Sequence, residues 1–101
     1  MIYKVQARYI EDKAAEYFQK LSDGTIASQQ PEGKEIVSSM KKAIVVGEGI
    51  IEWFETCYCD TPLKHERETV YNFYLNDITT ELVENKGEIK GHSFWSYLCK
   101  S

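Results

Sequence analysis

Apolar and polar residues alternate from the start of the chain: Tyr3, Val5, Ala7 and Tyr9 are interleaved with Lys4, Gln6 and Arg8. Period two predicts a strand with one buried face. The period then lengthens. Glu11 and Asp12 place acids at the positive end of a helix, whose apolar stripe is Ala14, Tyr17, Phe18 and Leu21. Ser22-Asp23-Gly24 stops it, with Gly24 suited to a left-handed cap. Thr25-Ile26-Ala27 reads as either loop or helix, and Pro31-Glu32-Gly33 breaks whatever precedes it. Ile36, Val37, Met40 and Ala43 return at helical spacing and predict a short helix near 33–41.

A hairpin follows. Ala43-Ile44-Val45-Val46 is β-prone, and Gly47-Glu48-Gly49 supplies the turn. Ile50 to Cys59 reads as a long strand with Ile50, Glu52, Phe54, Thr56 and Tyr58 on one face. Ile51, Trp53, Glu55, Cys57 and Cys59 lie on the other. Neither face is cleanly polar, so both are expected to be covered. Thr61 is a good N-cap and Pro62 suits the first helical position. Leu63, Val70, Phe73 and Tyr74 make the stripe of a helix ending near Asn76-Asp77. A last strand is predicted around 79–84, then a turn at Asn85-Lys86-Gly87. Ser93 caps a terminal helix carrying Phe94, Trp95, Tyr97 and Leu98.

This order predicts one α+β domain over residues 1–101: a ferredoxin-like βαββαβ sandwich. Its four-stranded antiparallel sheet would carry helices on one face, with an extra short helix near 33–41 and a C-terminal helical tail. By element order over residues 1 to about 84, and by no shared motif, the chain resembles the small dimeric α+β barrel proteins. The resemblance implies two sheets packed face to face. Many such proteins are small-molecule binders or degradative enzymes, often monooxygenases or isomerases.

The charge of −4, with 12 basic residues scattered along the chain, excludes the basic stripe that nucleic acid or an anionic membrane requires. Three cysteines, an odd number, argue against a secreted disulfide framework. The first residues form a strand rather than an apolar leader, and the longest aliphatic run, Ala43–Val46, is too short for a bilayer. A soluble, cytoplasmic protein is expected.

Candidate chemistry concentrates between Trp53 and Tyr71. Cys57, Cys59 and His65 are weak metal candidates, because a zinc site wants thiolate and imidazole in tetrahedral array and Cys-x-Cys on a straight strand is poorly shaped for it. A fourth ligand would have to come from His92, Cys99 or a neighbouring chain, and two small core residues are the simpler reading. His65-Glu66-Arg67-Glu68 is no His-Glu-x-x-His motif, since position 69 is Thr. The seven-residue step from Leu63 to Val70, however, carries the buried stripe through Glu66 or Arg67. A buried charge needs a partner or a purpose. Arg67 is expected to be at least half buried beside Glu52 or Glu55. The catalytic candidates are therefore His65, Glu66, Arg67 and Glu55. Trp53, Tyr58 and Tyr71 are candidates for lining a ligand site. No phosphate loop, nucleophile elbow or paired-carboxylate signature is visible, and no cofactor is implied.

Two functions follow as leading expectations, beside a third reading as a metal or redox protein using Cys57 and Cys59. The first is a homodimer built through the free sheet face that binds a small molecule or a protein partner without classical catalysis. The alternative is a small enzyme of the dimeric-barrel type, monooxygenase- or isomerase-like, with its site near His65, Glu66 and Arg67.

Overall fold

Strand β1 (Ile2–Tyr9) buries Tyr3, Val5 and Ala7 and turns Lys4, Gln6 and Arg8 outward, as the alternation requires. The computed structural model describes residues 1–30, 32–57 and 61–100. After a single 3-10 turn (Glu11–Lys13), helix α1 (Ala14–Ser22) presents Ala14, Tyr17 and Leu21 to the core. Turns then bury Ile26 and lead to α2 (Gly33–Lys42), in which Ile36 and Met40 are buried. A Cβ on Gly33 would lie 2.1 Å from the Ile26 carbonyl oxygen, so only glycine lets the turn pack onto the start of this helix.

Strand β2 (Ile44–Gly47) and β3 (Ile50–Thr56) form the expected hairpin. Strand β3 ends earlier than its pattern suggests. Its inner face, Ile51, Trp53 and Glu55, is buried, and its outer face, Ile50, Glu52, Phe54 and Thr56, is half-buried. The next helix starts later than expected. Thr61 and Pro62 stand in a turn closed by Lys64 N–H on the Thr61 carbonyl at 3.1 Å, rather than at an N-cap and first helical position. Leu63 takes the left-handed conformation (φ 58°), which turns its fully buried side chain inward while its N–H reaches Cys57 Sγ at 3.4 Å. Tertiary packing thus overrides the local capping preference.

The helical segment is irregular: α3 (Lys64–Glu66), a π-helical stretch (Arg67–Tyr71) and a final turn α4 (Asn72–Tyr74). It passes directly into β4 (Leu75–Val83). Asn76-Asp77 is therefore not a helix stop. It lies within β4, where one extra residue opposite Gln6–Arg8 makes a bulge and Asp77 is left-handed (φ 53°).

The sheet is antiparallel and has five strands rather than four, in the order β4-β1-β3-β2-β5. The added strand, β5 (His92–Ser93), is too short for any periodicity to reveal. It pairs with β2, and a Cβ on Gly91 would come within 2.2 Å of the Val45 carbonyl oxygen, so glycine permits this approach. Because β4 and β5 occupy opposite edges, residues 84–91 cross the sheet. They do so over its outer face, where a Cβ on Gly87 would meet the Phe54 ring at 4.0 Å. Helix α5 (Phe94–Cys99) opens as expected on Ser93, whose Oγ accepts from Ser96 N–H at 3.1 Å. It buries Phe94 and Leu98 against α1 and α2, so the tail packs on its own chain. No helix among the described residues is long and apolar enough to cross a membrane.

Candidate functional site

Trp53 and Glu55 are two residues apart on β3 and so project from the same face. The Trp53 indole N–H donates to Glu55 Oε1 at 2.8 Å, and the Tyr71 hydroxyl donates to the same oxygen at 2.7 Å. Trp53 and Tyr71 themselves pack with ring centroids 5.3 Å apart. Glu55 is fully buried and Glu66 is 1% exposed. The helical register carries Glu66 inward from α3, and its carboxyl comes within hydrogen-bonding reach of Glu55. The pattern from Leu63 to Val70 thus found the right turn of helix. Of its two candidates, Glu66 is the buried one.

Burial first, and then the neighbouring Glu66 carboxyl, push the Glu55 carboxyl up to about 8, against the hydrogen bonds from Tyr71 and Trp53, which pull it down. The Tyr71 phenol is held well above its ordinary value by burial and by Glu55. Tyr17, from α1, is raised for the same two reasons. Among the described residues, four polar atoms are buried without a hydrogen-bond partner: Glu55 Oε2, Glu66 Oε1, Tyr17 Oη and Arg67 Nε. Such orphans are uncommon in folded proteins and call for an explanation.

The sequence candidates therefore divide. Glu55, Glu66, Trp53 and Tyr71 meet in one buried cluster. The sequence carries no paired-carboxylate signature, yet the fold brings two carboxyls together from elements 11 positions apart, which no local motif announces. Arg67 is half-buried, as expected, but among the described residues it makes no ion pair with Glu55 or Glu66. Glu52 lies on the opposite face of the sheet, 3.5 Å from Lys4 and 2.7 Å from the Gln6 amide, and is no partner for Arg67. His65 is exposed. Cys57 is buried and accepts the Leu63 N–H, a structural task. Tyr58 and Cys59 lie outside the described residues. Among the described residues no group of three or more His, Cys, Asp or Glu side chains is placed to hold a metal ion. Tyr17 was read only as part of a helical stripe. Its position four residues before Leu21 marks it as core, and nothing in the sequence marks it as a neighbour of the acids.

Described surface depressions lie elsewhere. One, between α5 and β2, is lined by Val45, His92, Ser93, Ser96, Tyr97 and Lys100; others lie beside Glu11 and Tyr97 and over the outer face near Lys4 and Glu52. None of these is lined by Glu55, Glu66, Arg67 or His65. The chain matches no protein-family model, no curated protein and no solved structure.

Proposed function

We propose that this protein is a homodimeric, non-catalytic α+β domain of the ferredoxin-like kind that binds a small molecule or a protein partner. The observation that carries the reading is the outer face of the sheet. Ile2, Ile44, Ile50, Phe54 and Val83 are only half-buried there, set among Lys4, Gln6, Arg8, Glu52 and Glu81. Residues 84–91 cross this face without burying it. A second copy related by a two-fold axis would cover it with the same patch. The order β4-β1-β3-β2, antiparallel throughout, supports the ferredoxin-like reading, with β5 as an addition at the β2 edge.

Native mass spectrometry and light scattering at about 10–50 µM, a concentration range set by mass action, test this. A dimer that Ile50→Lys dissociates, with unchanged circular dichroism, is the expected result. A monodisperse monomer overturns the reading. A reproducible extra mass would report a bound small molecule.

One observation favours the enzyme reading as a second possibility. A carboxyl raised to about 8 holds its proton at neutral pH and is suited to act as a general acid. On that reading Glu55 and Glu66 would serve an isomerase-like proton transfer once the irregular helix moved aside, with His65 and Arg67 at its rim. Turnover that Glu66→Gln abolishes while leaving the fold intact is the outcome that reading requires.

A further inference from the structure

We propose that Glu55 and Glu66 form a one-proton site: a single proton held between the two carboxyl groups latches the end of β3 to the irregular helix, and its loss releases that helix. The inference goes beyond the homodimer reading and stands or falls apart from it.

The geometry leaves little alternative at neutral pH. Both carboxyl groups are withdrawn from water, at 0% and 1% exposure. Glu55 Oε1 is occupied by Trp53 and Tyr71, which leaves Oε2, and Oε2 has no donor. Glu66 Oε1 has none either. Two ionised carboxylates side by side in a core repel each other and leave both oxygens unsatisfied. One proton removes the repulsion and converts both orphans into the two ends of a short O–H···O⁻ bond. The other groups facing the pair do not substitute for the proton. Trp53 from β3 and Tyr71 from the π-helical stretch are already donors to Glu55. Tyr17 from α1 adds a neutral phenol whose hydroxyl is unpaired. Arg67, next to Glu66, offers a buried Nε but no ion pair to either acid among the described residues. The upward displacement of Glu55 is in accord with a retained proton.

The element on the far side of the latch is built to move. It is three residues of α-helix, five of π-helix and three more of α-helix, entered through a left-handed Leu63. Short helices of this kind have little stability of their own and depend on tertiary contacts, and π segments recur where a helix must adapt. Deprotonation leaves two buried charges, and the least costly way to hydrate them is to lift α3 and the π-helical stretch away from β3. Trp53 and Tyr71 then lose their packing together with the acids.

The test uses the full chain with Trp95→Phe, which leaves Trp53 as the reporting indole. Fluorescence and infrared absorption are followed from about pH 6 to about pH 10, the interval over which a raised carboxyl titrates. The expected result is a protonated-acid carbonyl band at the acid end that disappears in a one-proton step near pH 8. The Trp53 signal and amide exchange in 64–74 should change at the same midpoint. Glu66→Gln supplies an amide donor to Glu55 and should lower the midpoint by at least about one unit. Glu55→Gln makes the latch permanent and should remove the step. Absence of the protonated-acid band at neutral pH overturns the proposal, as does an unshifted midpoint in Glu66→Gln. If neither variant folds, the band and its titration in the protein with only Trp95→Phe decide the matter.

Discussion

Glu52 and Glu55 sit three positions apart on the same strand and on opposite faces of the sheet, and they live in different chemical worlds. Glu52 looks out, 3.5 Å from Lys4 and 2.7 Å from Gln6, in reach of water. Glu55 looks in, sealed among Trp53, Tyr71 and Glu66, and its proton affinity rises until it titrates at about 8. Residue type, strand and neighbouring sequence are nearly the same. The pleat alone decides which carboxylate is a surface charge and which is a buried acid. Each test below tries to erase that contrast or to enlarge it.

The largest effect belongs to pH. Glu55 has a folded-state value raised from 4.5 to about 8. Its contribution to stability is therefore fully present below about 4.5 and is lost progressively as pH rises through 8. At ~1.4 kcal/mol per unit the swing is on the order of 4–5 kcal/mol. Urea unfolding at a series of pH values should show stability falling across this window, and Glu55→Gln should flatten the fall. A flat wild-type profile would mean that Glu55 ionises as freely as a surface acid.

Next comes truncation. At a pH near 5, where Glu55 holds its proton, Glu55→Ala strands the Trp53 indole and the Tyr71 hydroxyl, two buried donors worth ~1–3 kcal/mol each. A loss of about 3–4 kcal/mol in urea unfolding is expected. Tyr71→Phe removes one donor only and should cost about 1–2 kcal/mol. Since that hydrogen bond pulls Glu55 downward, the variant should also move the Glu55 midpoint to higher pH, by the same infrared titration.

These predictions rest on an arrangement that the sequence made only partly legible. Strand β1, the β2–β3 hairpin, the helix near 33–41 and the Ser93 cap follow from local period and capping chemistry, and the structure contains all of them. The seven-residue step from Leu63 to Val70 also announced that Glu66 or Arg67 would be buried. What stayed hidden depends on contacts between distant segments. The helix begins after Thr61 and Pro62 because Leu63 is drawn into the core, which no capping rule foresees. Asn76-Asp77 has turn chemistry, yet β1 recruits it into a bulged strand. Strand β5 has only the register of β2 to define it. Glu55 met Glu66, not an arginine, because sequence periodicity says which side chains turn inward and not which of them meet there.

The smallest expected effect closes the comparison from the other side. Glu52→Gln removes one charge from a pair with Lys4 that stays in reach of water, 39% and 16% exposed at its two side chains, while the amide can still accept from Gln6. Solvent-reached pairs contribute ~0–1 kcal/mol and weaken with salt. The variant should unfold within about 0.5 kcal/mol of wild type when dilute, at any pH where Lys4 is charged. Its value lies in concentration dependence. If the outer face is buried between two copies, Glu52 becomes partly desolvated in the dimer, and losing its charge then carries a larger and less salt-sensitive effect. A cost that grows with protein concentration would make Glu52 resemble Glu55 through assembly rather than folding. A cost that stays small at every concentration would keep the two faces of β3 as different as they are in the isolated chain, and would remove the outer face near Glu52 from the proposed interface.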